Sequence, residues 1–325
     1  MELSKKVKTA LDEARVLILG AQILLGFAFR GPFSDGFERL SRTARALDGL
    51  ALMLMVLAVG LLIAPGPYHR IVEGGEDSRR LHRFVSAISG LALLPFALAL
   101  GLDVFVTAGL IFGRAGGVAA GSVATALAFG LWYGLPHLRA RHAGEQERAM
   151  SSRGGEQRAG TPLHAKIEQM LTEARVVLPG AQAIFGFQLA IVLTESFQRL
   201  PGSSQAVHAT SLFLVALAVM LLMAPAAYHR IVYAGEDTED VNRTGSVFLT
   251  AATVPLAFGL AGDVYVVMAK IARSPAIGLL TAAVALLLLL GLWHVYPLVV
   301  ARGRARRAAL IDLHHQLNGN SDGGD

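Results

Sequence analysis

The chain carries one string of residues twice, at a fixed spacing of 160 positions. Leu11-Asp12-Glu13-Ala14-Arg15-Val16 returns as Leu171-Thr172-Glu173-Ala174-Arg175-Val176. Gly20-Ala21-Gln22 returns as Gly180-Ala181-Gln182, and Ala64-Pro65 with Tyr68-His69-Arg70-Ile71-Val72 as Ala224-Pro225 with Tyr228-His229-Arg230-Ile231-Val232. Gly75-Glu76-Asp77 matches Gly235-Glu236-Asp237, Pro95 matches Pro255, and Asp103-Val104 matches Asp263-Val264. Near the end the spacing becomes 161, so that Gly130-Leu131-Trp132 meets Gly291-Leu292-Trp293. Identity at about a third of aligned positions marks a tandem duplication, and any fold must accommodate the unit twice.

Each copy is mostly apolar. Residues of the chain are 54% hydrophobic and only 16% charged, with mean hydropathy +0.52. Soluble domains carry about 25% charged residues, so a chain this poor in charge belongs in a bilayer. A crossing helix needs about 20 apolar residues. The first copy offers 13–30, 47–65, 84–106 and 116–136; the second offers 173–194, 207–225, 244–268 and 276–297. The first span is the weakest, because its apolar run stops at Arg30-Gly31-Pro32. The expected architecture is all-α, with eight transmembrane helices in two parallel four-helix repeats related by a pseudo-two-fold axis along the membrane normal. The repeats occupy 1–138 and 163–301 and pack as an internal pseudo-dimer. Between them lies a flexible polar linker, 139–162, and a basic, partly disordered tail covers 302–325.

Basic residues set the orientation. With the N-terminus cytoplasmic, 21 of the 29 Lys and Arg fall on the cytoplasmic side. Both termini are therefore expected in the cytoplasm and the protein in the inner membrane, its first apolar segment serving as the insertion signal. Tyr68, Trp132, Tyr133, Tyr228, Trp293 and Tyr296 then anchor at the inner interface. The segment from Arg302 to Leu317 reads as a stop-transfer cluster or as an amphipathic helix on the anionic leaflet.

Three groups of repeated polar residues invite functional readings. Asp103 and Asp263 are intramembrane carboxylates, eight residues past the kink-forming Pro95 and Pro255, a combination suited to proton or cation coupling. Twenty residues separate Arg83 from Asp103 and Arg243 from Asp263, about 30 Å of helix, which would place each Asp near the outer interface. A second group forms an ion-pair layer at the cytoplasmic face: Glu13, Arg15, Tyr68, His69, Arg70, Glu76 and Asp77, with Glu173, Arg175, Tyr228, His229, Arg230, Glu236 and Asp237. Within it Glu13 is expected to pair with Arg70 and Glu173 with Arg230, Ala-Pro ends a helix, and Asp77 or Asp237 caps the next. Gln22 and Gln182, among small residues, suit hydrogen bonding between close helices. Gln188 faces no polar counterpart, since Ala28 stands in the first copy.

Other chemistries lack their residues. The chain has no Cys, which removes disulfides and thiolate metal sites. No phosphate-binding Gly-rich loop and no two-His metal motif with a general-base Glu is present. The ten His fall in loops, at the interface and in the tail, with none at midplane to hold a haem. The expectation is a protein with no cofactor, metal, catalytic site or nucleic-acid partner, whose partners are the bilayer and a small cation or solute.

The blocks Glu-Ala-Arg-Val, Gly-Ala-Gln, Tyr-His-Arg-Ile with Gly-Glu-Asp, and Gly-Leu-Trp resemble those of a family of short bacterial four-helix membrane proteins. The resemblance covers about 11–138 and 171–299. It implies a fused pair of units that usually occur singly. The family has no established function, and the sodium/proton antiporter label that some members bear implies transport. Two function classes follow: a proton- or cation-coupled secondary transporter with a pathway at the repeat interface, or a scaffold or accessory subunit.

Topology is directly testable in a Cys-free chain. A cysteine replacing Arg45 is expected to react with an impermeant maleimide from outside intact cells, and labelling only from the cytoplasmic side reverses the orientation.

Overall fold

The computed structural model describes residues 2–134, 162–231 and 238–319. The linker as far as 161 and the chain end from 320 lie outside them. The first half contains α1 (Glu2–Arg30), α2 (Arg42–Ile63), α3 (Pro65–Val72) and α4 (Arg79–Phe129). The second contains α5 (Leu163–Val192), α6 (Gly202–Ile231), α7 (Glu239–Ala272), α8 (Pro275–Leu290) and α9 (Tyr296–Gly319). Among the described residues, six helical stretches are long and apolar enough to cross a membrane, and Leu17–Phe33 adds a shorter apolar one. Side chains such as Leu193, Phe112 and Leu287 are more than 70% exposed. Patches of that kind are tolerable in lipid and not in water. The protein is an all-α, multi-pass membrane protein.

One of the six stretches, Arg79–Gly134, has 56 residues. Straight, it would reach about 84 Å, well beyond a hydrocarbon core of about 30 Å. It folds back at Gly113, whose φ of 75° and ψ of 177° are open only to glycine. The two arms touch through small residues. A Cβ on Gly117 would lie 2.8 Å from the Phe105 carbonyl oxygen and 2.9 Å from the Gly109 Cα. Gly278 meets Tyr265 and Ala269 in the same way where α8 returns along α7. There the turn is made by Arg273 in the left-handed region and Ser274, whose hydroxyl caps α8.

Several expectations about helix ends are corrected. Ser78 and Thr238 cap α4 and α7, accepting from Leu81 N and Val241 N, so the cap of α4 falls on the residue after Asp77. Pro65 opens α3 at its first turn, but Pro225 lies inside α6, which continues to Ile231. Pro95 and Pro255 also lie inside helices; the non-helical dihedrals within α4 belong to Gly113.

The halves meet along α1 and α5. Gln22 packs over Gly180, and the Phe187 ring covers Gly26, 4.6 Å from the Phe27 ring. Both contacts advance together, so α1 and α5 run in the same direction. A second contact lacks a counterpart. Trp293, fully buried, donates its indole N–H to the Gly60 carbonyl at 2.9 Å. Its position inside the bundle corrects its expected role as an interfacial anchor. The position 160 residues after Gly60 is Met220, and Trp132 instead stacks on Phe96 in its own half.

Gly117→Ala is expected to lower stability by about 1–3 kcal/mol, because backbone rather than flexible side chain must move. Gly20→Ala, with nothing within 4 Å, is expected to raise it by about 0.5–1 kcal/mol. Thermal unfolding of both variants in detergent checks the pair, and equal melting temperatures would contradict it.

Candidate functional site

Asp263 on α7 is 3% exposed, although the sequence places it near an interface. The helix runs on to Ala272, and Lys270 lies about 10 Å further out. The carboxylate faces inward between α5 and α6. Gln188 Nε2 donates to Asp263 Oδ2 at 2.7 Å, and His208 Nδ1 stands 3.5 Å from Oδ1. His208 Nε2 lies 3.1 Å from the Gln188 carbonyl oxygen. A carbonyl only accepts, so Nε2 carries a proton. In a neutral imidazole Nδ1 is then bare and faces a carboxylate oxygen. That approach is favourable when another proton lies between them, on either partner.

Aromatic groups cover this trio. The Phe197 ring stands edge-on to His208, with centroids 5.0 Å apart, and Phe33 of the first half packs 6.3 Å from Phe197. Lys270 Nζ sits 5.6 Å from the Phe33 centroid and donates to Ser196 Oγ at 2.8 Å. Residues from both halves thus close the Lys270 end of the trio.

The first half has a different set at the same register. Asp48 occupies the position of His208, 160 residues earlier, and Ala28 that of Gln188. Asp48 is within coulombic reach of Asp103, and both are half-buried. One half therefore holds Asp–His–Gln and the other Asp–Asp. Sequence reasoning missed Asp48 and His208, and placed every His outside the bundle interior. The available signal was a polar residue at equal register in both apolar spans, hidden because its type differs.

At the other end of the bundle the ion pair crosses between halves. Arg70 Nη1 bonds Glu173, and Arg70 Nε donates to Thr250 Oγ1 at 3.0 Å. Arg70 and Glu173 were each expected to pair within their own half, with Glu13 and Arg230, whose side chains lie outside the described residues. Gly66 makes the crossing pair possible, since a Cβ there would overlap the Glu173 carboxylate. Lys166 pairs with Glu76, Gln169 Nε2 donates to Asp77 Oδ1 at 3.2 Å, and Arg304 binds Val72 O and Glu73. Buried Tyr68 stacks on Phe84 at 4.0 Å, with Tyr296 beyond. Buried His69 shares with Gly66, Gln169 and Glu173 a space of about 30 Å³, room for a water or two. The side chains of Glu13, Arg15, Arg175, Tyr228, His229 and Arg230, and all of Glu236 and Asp237, lie outside the described residues.

The two glutamines diverge. Gln22 is fully buried at the α1–α5 contact with neither amide atom hydrogen-bonded among the described residues, while Gln182 is exposed. No cluster of three metal-ligating side chains occurs among the described residues.

The profile of the family of unknown function DUF6328 matches residues 2–136 and again 160–297, and the chain belongs to that family. No curated protein and no solved structure matches it.

Arg70→Gln strips Glu173 of its cation and is expected to destabilise the protein by about 3 kcal/mol. Arg70→Gln with Glu173→Gln leaves no lone buried charge and is expected to lose less than the single variant. Unfolding in detergent measures both; a double variant as unstable as the sum of the singles removes the coupling.

Proposed function

We propose that this member of the DUF6328 family is a non-enzymatic, proton- or cation-coupled secondary transporter. Eight spans form two parallel four-helix repeats, with both termini in the cytoplasm of a cell bounded by this inner membrane. The observation that carries the reading is the buried trio of Asp263, His208 and Gln188, a site suited to one exchangeable proton. Asp48 and Asp103 are its counterpart in the other repeat, where a proton or small cation between the carboxylates relieves their repulsion. The fold-back at Gly113 supports the count of eight, because it divides one long helix into two spans. The parallel α1–α5 contact supports the parallel arrangement.

The interface between repeats has a closure at each end. Phe33, Phe197 and Lys270 cover the outer end, and Arg70 with Glu173 crosses the inner one. Access to the trio from outside requires the aromatic cover to part, and access from inside requires the ion pair to separate. His69 and the water-sized space beside Glu173 give the inner end a route for protons.

A scaffold or accessory role is the second reading. It is favoured by the tight packing around Asp263, which lines neither the space beside His69 nor the groove along α7.

The test is flux in vesicles loaded with a pH dye, on addition of Na⁺, K⁺ or a voltage step. Transport is expected to exceed that of empty vesicles and to fall at least about ten-fold in Asp263→Asn, the scale of losing one positioned proton carrier. Absence of flux under every gradient supports the scaffold instead.

A further inference from the structure

A groove of about 570 Å³ runs along α7 where it meets α3 and His294 of the wide turn Gly291–Val295 that follows α8. Its polar lining is Arg70, Asn242, Arg243, Ser246, Thr250 and His294, and no acidic residue lines it among the described residues. Arg70 is 6% exposed at its side chain. Its Nε and Nη1 are used, but Nη2 has no hydrogen-bond partner among the described residues. An unpaired N–H of a guanidinium is costly to bury, and this one belongs to a side chain that lines the groove while the atom itself stays covered. Arg243 stands exposed on the same wall, in the first turns of α7. Below it Val247 and Val254 are 61% and 39% exposed and extend the wall about 10 Å along the helix.

The first half carries different residues at this register. In the first half Arg83 and Ser86 stand where Arg243 and Ser246 do, but Gly90 replaces Thr250 and Tyr133 replaces His294. Tyr133 reaches across and donates its hydroxyl to the Gly90 carbonyl at 2.5 Å. In the second half His294 turns to Thr253, whose hydroxyl donates to the Thr250 carbonyl, so the imidazole Nε2–H is the donor between them.

We propose that this groove binds a phosphate-bearing anion, with Arg243, Asn242 and Ser246 at the phosphate and the buried Arg70 charge behind it. Arginine with amide and hydroxyl donors is the usual composition of a phosphate site. The valine wall below gives an acyl chain a track, so a phospholipid headgroup and a free phosphate are the two sources to separate.

The full chain, delipidated in detergent, is titrated with equal phosphatidylglycerol and phosphatidylcholine and read by native mass spectrometry. One phosphatidylglycerol is expected to be retained in preference, with Arg243→Gln reducing retention about five-fold, as for one basic residue at an anionic surface. Arg83→Gln, on the filled side, is expected to change nothing. Displacement of the lipid by inorganic phosphate assigns the site to the phosphate group from either source; retention against phosphate assigns it to the lipid. Equal retention of the two lipids without a phosphate adduct overturns the proposal, as does an equal loss in Arg83→Gln and Arg243→Gln.

Discussion

A charged or hydrogen-bonding group removed from water must find its partner inside the protein, and in a bilayer no loop of solvent relieves the requirement. Most of the specific structure in this chain answers that constraint. Asp263 takes Gln188 and His208, and Trp293 takes the Gly60 carbonyl. Arg70 reaches across the halves to Glu173. Dispersion and small-residue contacts bring the helices together, but these polar pairs fix which helix meets which, and at what register.

Duplicated units need not stay equivalent once they share a chain. Gly60 and Met220 stand at one register, and only the glycine admits a tryptophan from the other half. Trp293 is drawn in, while Trp132 stays on Phe96. The second half's α7 and α8 therefore lean on α2 of the first. The same divergence separates Asp–Asp from Asp–His–Gln, and a Tyr133-filled gap from the groove beside His294. Two copies with different titratable sets can hold different protonation states, which identical copies in a homodimer cannot do by sequence alone.

The helical spans were legible because apolar length and turn chemistry are local. The stop at Arg30-Gly31-Pro32 and the family blocks could be read directly, whereas Pro65, read as a helix end, opens α3. Partners were harder, because pairing is a property of three dimensions. Repeat logic offered Glu173 only partners of its own half, and nothing local announces that the gap at Gly66 lets its carboxylate reach Arg70 of the other. Depth arithmetic counted residues from Arg243 and put Asp263 at the surface of the core; enclosure by α5 and α6 decides its environment. Asp48 and His208 were invisible to identity matching, because the shared property was register and polarity.

The central claim is that the second half encloses an exchangeable proton between Asp263 and His208. Infrared difference spectroscopy of the full chain in lipid, across a pH step, observes such a proton without requiring transport. A carboxyl band that appears or vanishes with pH, is absent in Asp263→Asn and persists in Asp103→Asn is the predicted result. A spectrum in which no band is lost in Asp263→Asn would contradict the account.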